Sequence, residues 1–103
     1  MAIAVLFENP DGSKEQYEDF SRKMFGGQLT PSEPIQGLIV HTAGAGKTGW
    51  RIFDAWESKA DYERFMEQYV MPAMEGMGDV GDMPEPDIYE LANVVVTGVG
   101  VTA

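Results

Sequence analysis

The chain has 103 residues, 44 % of them apolar, with seventeen Asp and Glu against seven Lys and Arg and a formal charge of −10. That length suits one small domain with its own core, and so acidic a surface repels phosphate backbones and anionic headgroups, which argues against nucleic-acid and membrane-surface partners. With no cysteine there is no disulfide framework, thiol catalysis or cysteine metal site; no apolar run nears the ~20 residues of a membrane span, and the first residues lack signal-peptide features, so a cytoplasmic protein is expected.

Ala2 to Phe7 is short, apolar and uninterrupted, as a buried central strand would be. Glu8 to Gly12 holds Pro10, Asn9 and Asp11 and reads as a turn. Ser13 followed by Gln16 matches a capping box, and Tyr17, Phe20 and Met24 recur at helical spacing behind it. Gly26 and Gly27 end that helix, and Pro31 and Pro34 make the next stretch a loop.

A hairpin is expected over about Ile35 to Trp56. Leu38 to Thr42 and Trp50 to Trp56 are its β-branched and aromatic arms, and Ala43 to Gly49 is its glycine-rich turn. If Gly44 pairs with Gly49, then Gly37, Ile39 and His41 share a face with Trp50, Ile52, Asp54 and Trp56. The opposite face carries Leu38, Val40, Phe53 and Ala55, and being apolar it is the one expected to pack on helices. Gly46-Lys47-Thr48 resembles the end of a phosphate-binding loop. The full motif places a glycine where His41 stands and a helix where a strand follows, so the turn reading is preferred.

Ser58 and Asp61 form a second capping signal. Tyr62, Phe65, Met66, Tyr69, Val70, Ala73, Met74 and Met77 then make a long helical stripe. Pro72 falls within it, and either kinks the helix or restarts it after Val70. Gly76 to Pro86 is acidic and loop-like, Asp87 to Val96 reads as a fourth strand, and Thr97 to Ala103 is a possible arm. The order β-α-β-β-α-β is the split βαβ pattern of ferredoxin-like α+β folds. It predicts a four-stranded antiparallel sheet with two helices on one face, in a single domain over 1–96 with 97–103 as a C-terminal arm. The face bearing Trp50, Ile52 and Trp56 would then be a large apolar patch unless covered, and a second copy of the chain is the economical cover.

The run Gly49 to Ser58, with Trp56-Glu57-Ser58 at the strand end and Tyr62 and Phe65 in the helix after it, resembles the dimeric α/β-barrel superfamily, which includes antibiotic-biosynthesis-monooxygenase-like proteins. The likeness in element order covers roughly residues 2–96. It implies a homodimer, a small-molecule cavity in each subunit and cofactor-free oxygenation of electron-rich aromatics. The haem-degrading branch of that superfamily combines an Asn on the first strand, a Trp ending the third and a His on the following helix. Here Trp56 fits, but Phe7 or Glu8 stands for the Asn and Met66 for the His, so haem degradation is not expected.

The residues offer one acid–base constellation. His41 is the only histidine, and the register places Asp54 on the same face of the neighbouring strand, near-diagonal to it. An imidazole held by a carboxylate can serve as a general base near neutral pH; the same pair can equally brace the hairpin. Trp50 and Trp56 would wall a planar ligand or fill a core. Ile39, Ile52, Tyr17, Tyr62 and Met66 complete the expected substrate-binding set, one of Tyr17, Tyr62 and Tyr69 serving as a proton donor. Met66, Met71, Met74, Met77 and Met83 would give an adaptable apolar lining. Asp79, Asp82, Glu85 and Asp87 lack a calcium-loop spacing, and one His with no Cys leaves little for a transition-metal site, so no metal is expected; the resemblance implies that no cofactor is needed. The function expected is a small cofactor-independent enzyme acting on an aromatic or polyketide-like molecule in an apolar cavity, as a monooxygenase or a proton-transfer or cyclase-type catalyst. The alternatives are a non-catalytic binding or accessory dimer and a purely structural dimer.

Overall fold

A computed structural model describes residues 1–77 and 84–97. Met83, Asp79, Asp82 and the arm residues 98–103 lie outside them. Four strands form one antiparallel sheet: β1 (Ile3–Asn9), β2 (Leu38–Gly46), β3 (Gly49–Trp56) and β4 (Asp87–Glu90), in the order β2-β3-β1-β4. Helix α1 (Lys14–Met24) joins β1 to β2. A second helical run joins β3 to β4: α2 (Lys59–Phe65), a π-helical turn at Met66–Val70 and α3 (Met71–Met77). The α+β class, the sheet and the two helical segments agree with the sequence reading and are consistent with a ferredoxin-like fold.

Both helix starts are the ones the capping residues dictate. Ser13 Oγ accepts the Gln16 N–H at 3.1 Å, and Ser58 Oγ accepts the Asp61 N–H at 3.1 Å, each removing one orphan donor from a first turn. Helix α1 closes on Gly26 and Gly27, at φ 65° and 96°, with the Gly27 N–H on the Arg22 carbonyl at 2.7 Å. That left-handed closure is costly for any residue with a Cβ. Pro72 neither ends the second run nor restarts it. The helix widens just before it, and the Met71 N–H reaches back five residues to the Met66 carbonyl. Proline lacks an N–H and crowds the carbonyl four residues behind it, and a π turn absorbs that crowding without breaking the rod.

The hairpin turn is tighter than the sequence suggests. Gly46 pairs with Gly49, leaving Lys47 and Thr48 as the loop. Gly49 takes the left-handed step at φ 123°, and neither loop residue has a positive φ. Moving the turn by two residues keeps the alternation, so His41 and Asp54 stay on one face, now directly opposite each other. A bulge between Leu38 and Val40 changes the far end. Ile39 falls inside it without a register partner, and Leu38 comes opposite Trp56 and packs on the core. Leu38 therefore leaves the face on which the alternation placed it.

The choice of covered face is also the reverse of the expectation. The helices lie over the His41 face: Tyr17 of α1 meets His41 and Trp50, and Tyr62 and Phe65 of α2 meet Trp56. Ile3, Val5 and Trp56 form the buried cluster beneath them. The helix-distal face carries Leu6, Val40, Phe53 and Tyr89. Trp50 and Trp56 thus need no second copy to cover them. Strand β4 is shorter than expected, ending at Glu90 rather than Val96. Its partner β1 begins at Ile3, opposite Glu90, and pairing stops there after one further contact from the Leu91 N–H to the Ala2 carbonyl at 2.9 Å.

A Cβ on Gly49 would lie 2.4 Å from the Asn9 carbonyl oxygen and 2.5 Å from Pro10 Cα, both backbone atoms. Strain at a positive φ alone costs roughly 1–3 kcal/mol. Gly49→Ala is therefore expected to destabilise the protein by at least about 2 kcal/mol, read as a lower urea midpoint, whereas Gly44→Ala, which meets nothing within 4 Å, leaves it nearly unchanged.

Candidate functional site

Asp54 lies in the middle of β3, between Val5 on β1 and His41 on β2, and only 7 % of it is exposed. A carboxylate so enclosed needs a partner. It has one in His41, whose Nδ1 lies 2.6 Å from Asp54 Oδ1. The other imidazole nitrogen, Nε2, meets the hydroxyl of Tyr17, which arrives from α1 across the sheet face. A carboxylate only accepts hydrogen bonds, so Nδ1 donates to it, and in the neutral imidazole Nε2 is left as the acceptor for the phenol. Three side chains remote in sequence thus form one directed chain, phenol to imidazole to carboxylate.

The surroundings differ along that chain. The His41 side chain is 40 % exposed, because β2 is an edge strand, and the ring is reachable from solvent. Tyr17 is half-buried. Its ring lies within 15° of parallel to the imidazole, and 5.3 Å from Trp50 between centroids. Burial raises the Tyr17 phenol above its usual 10.0, the Asp54 carboxylate adding to the rise against a hydrogen bond with Ser21 that lowers it. Tyr62 is raised as well, first by burial and then by Asp54.

These shifts have a definite consequence for stability. Above about pH 10 an unfolded tyrosine ionises, while Tyr17 and Tyr62 in the native fold hold their protons. The native state then binds more protons than the unfolded one, so stability falls as pH rises. The stabilisation is complete below about pH 10 and is lost on passing through the raised folded-state values. Urea unfolding in steps between about pH 9 and about pH 11 should show that decline, with a shallower slope in Tyr17→Phe. An equal slope in the variant would mean that Tyr17 ionises alike in both states.

The expected site residues separate into two groups. His41, Asp54, Tyr17 and Trp50 come together. Trp56 lies beyond Asp54 on β3, is fully buried, and is enclosed by Tyr62 at 6.0 Å and Phe65 at 5.2 Å between centroids. Ile52 sits between Phe7 and Ala43 on the sheet. Ile39 is at the bulge, and Met66 opens the π turn, half-buried. The indole N–H groups of Trp50 and Trp56 are both buried and without an acceptor among the described residues. Among the described residues, no three His, Asp or Glu side chains converge as a metal site, and no helix is long and apolar enough to cross a membrane.

Two hollows among the described residues lie away from His41. One of about 400 Å³ lies between Ile3, Ser58, Lys59 and β4, and one of about 180 Å³ lies between Ile35, Arg64, Phe65 and Tyr69. Neither is lined by His41, Asp54 or Trp50. Beside His41, the Tyr17 ring lies against both the imidazole and Trp50.

The partnership of Tyr17 with His41 is the feature that sequence reasoning did not pair. Its one available signal was the Ser13 cap, which sets the phase of α1 and with it the direction of Tyr17. Comparisons with family profiles, with curated proteins and with solved structures give no match.

Proposed function

We propose that the protein is a small cofactor-independent enzyme that removes a proton from an electron-rich aromatic or polyketide-like molecule, using His41 as base, Asp54 as its orienter and Tyr17 as the phenol that relays the proton. The observation that carries this reading is the continuous contact from Tyr17 through His41 to Asp54. A carboxylate behind an imidazole fixes its tautomer and stabilises the imidazolium formed when the base takes up a proton. The exposed edge of His41 is where a substrate hydroxyl or acidic C–H would approach, displacing or extending the contact with Tyr17. The carbanion or phenolate formed would be the species that rearranges or meets dioxygen.

The test uses a panel of dihydroxynaphthalenes and aryl 1,3-diketones, followed by deuterium exchange at the acidic position and by oxygen uptake. Exchange or uptake above the buffer rate is expected. The second reading, a non-catalytic binding or accessory protein, draws on the hollows that lie away from His41. Binding of such compounds with neither exchange nor oxygen uptake would select it.

The reading also takes the fold to be ferredoxin-like and the active species to be a homodimer, with the helix-distal sheet face as the joint. Val40 and Tyr89 on that face are 40 % and 44 % exposed, and their burial against a second copy would remove apolar area from water. Sedimentation at micromolar concentration should give twice the 11.3 kDa chain mass, and Phe53→Glu should return the monomer.

A further inference from the structure

We propose that Tyr17 is a redox-active phenol, which gives one electron to an organic radical oxidant while its proton passes to His41 Nε2, so that the chain holds a neutral tyrosyl radical. This goes beyond the proton-transfer reading and does not depend on it, since no substrate need enter a cavity.

Loss of an electron turns a phenol into a strong acid. Oxidation is therefore easy only where a base on the hydroxyl can take the proton in the same event. Tyr17 has such a base: its hydroxyl lies on His41 Nε2, and Nδ1 is held at 2.6 Å by Asp54. The charge that arrives on the imidazole is met by a carboxylate whose side chain is only 10 % exposed, so little solvent screens the attraction. Tyr62, Tyr69 and Tyr89, by contrast, make no side-chain hydrogen bond to a base among the described residues.

Trp50 supports the same assignment. Its ring is 5.3 Å from Tyr17, and its buried N–H has no acceptor among the described residues. An oxidised Trp50 cannot hand off its proton, whereas Tyr17 can. An electron vacancy first formed on the indole therefore moves to Tyr17 and stays there. The side chain of His41 is 40 % exposed, which brings a small oxidant in solution within a few atoms of the pair.

With a peroxyl radical as oxidant the step balances. One electron leaves Tyr17 and converts the peroxyl radical to a hydroperoxide anion, which takes a proton from water. The phenolic proton becomes the Nε2–H of an imidazolium whose Nδ1–H stays on Asp54. A thiol or ascorbate-class reductant returns the electron, and the imidazolium returns the proton to the phenolate oxygen.

The experiment mixes the full chain with hexachloroiridate(IV), a one-electron outer-sphere oxidant, in rapid-freeze electron paramagnetic resonance and in stopped flow in H2O and D2O. A phenoxyl signal is expected that is absent in Tyr17→Phe. In His41→Gln the oxidation should slow by about a hundredfold, the lower end of what a positioned base supplies, and lose its solvent isotope effect. A variant with Tyr62→Phe, Tyr69→Phe and Tyr89→Phe, which keeps Tyr17, should retain the signal. Unchanged radical yield in Tyr17→Phe, loss of the signal in the triple variant, or an unchanged rate in His41→Gln would each overturn the proposal. None of these readouts involves turnover, so failure here and failure of the enzyme reading are separable.

Discussion

Replacing Trp56 by alanine is expected to cost the fold roughly 3–5 kcal/mol. The indole is fully buried, caps the Ile3 and Val5 cluster, and supports Tyr62 and Phe65 from α2. Nothing nearby can collapse into the space, because the sheet below is hydrogen-bonded on both sides and α2 is held at its start by Ser58. Domains of this size have only about 5–15 kcal/mol in total, so the variant would lose a large part of its stability and unfold at markedly lower urea. Trp56→Phe keeps most of the volume and removes the buried N–H that lacks an acceptor. It should cost far less than the alanine change. A loss below about 1 kcal/mol for Trp56→Ala would show that the ring is not the centre of the core, and would return it to the set of ligand walls.

The second large effect falls on chemistry. His41→Gln is expected to lower the rate of proton abstraction by about 100- to 10,000-fold, the range a positioned base supplies, while the fold survives. The edge position of β2 and the exposure of the His41 ring leave room for the amide, so unfolding should change little. Asp54→Asn should act in the same direction through His41, because an amide no longer dictates that Nδ1 donates. Deuterium exchange into a bound diketone reads both variants directly, and circular dichroism reports the fold. Exchange that proceeds equally well in His41→Gln would leave the Tyr17–His41–Asp54 chain as a brace for the hairpin and α1.

The two lone indole N–H groups fit this division of labour unequally. That of Trp56 belongs to the core, where its cost is offset by the area of the ring. That of Trp50 is buried beside Tyr17, whose ring lies 5.3 Å away.

Much of the architecture was legible along the chain because it is written in local chemistry. Ser13 and Ser58 start the helices, Gly26 and Gly27 close the first, alternation marks the strands of the hairpin, and the uninterrupted Ala2–Phe7 run marks the central strand. Each of these depends on a residue's own φ, ψ and hydrogen-bonding habits within a few positions. His41 and Asp54 were placed on one face for the same reason, since parity survives a two-residue error in the turn. Their direct opposition was not legible, because it depends on where the loop closes, here at Gly46 and Gly49, with Gly49 against Asn9 and Pro10 from a different part of the chain.

What only the tertiary structure decided is long-range. Alternation says which residues share a face and is silent on which face the helices will take. Here the helices took the aromatic face, where Tyr62 and Phe65 pack on Trp56, Ile3 and Val5. The bulge at Leu38 reversed one residue, the π turn absorbed Pro72, and β4 stopped opposite the start of β1. The contact of Tyr17 with His41 joins residues 24 positions apart. It exists because a helix phase set at Ser13 and a strand register set at Gly49 happen to coincide in space, and no local propensity carries both.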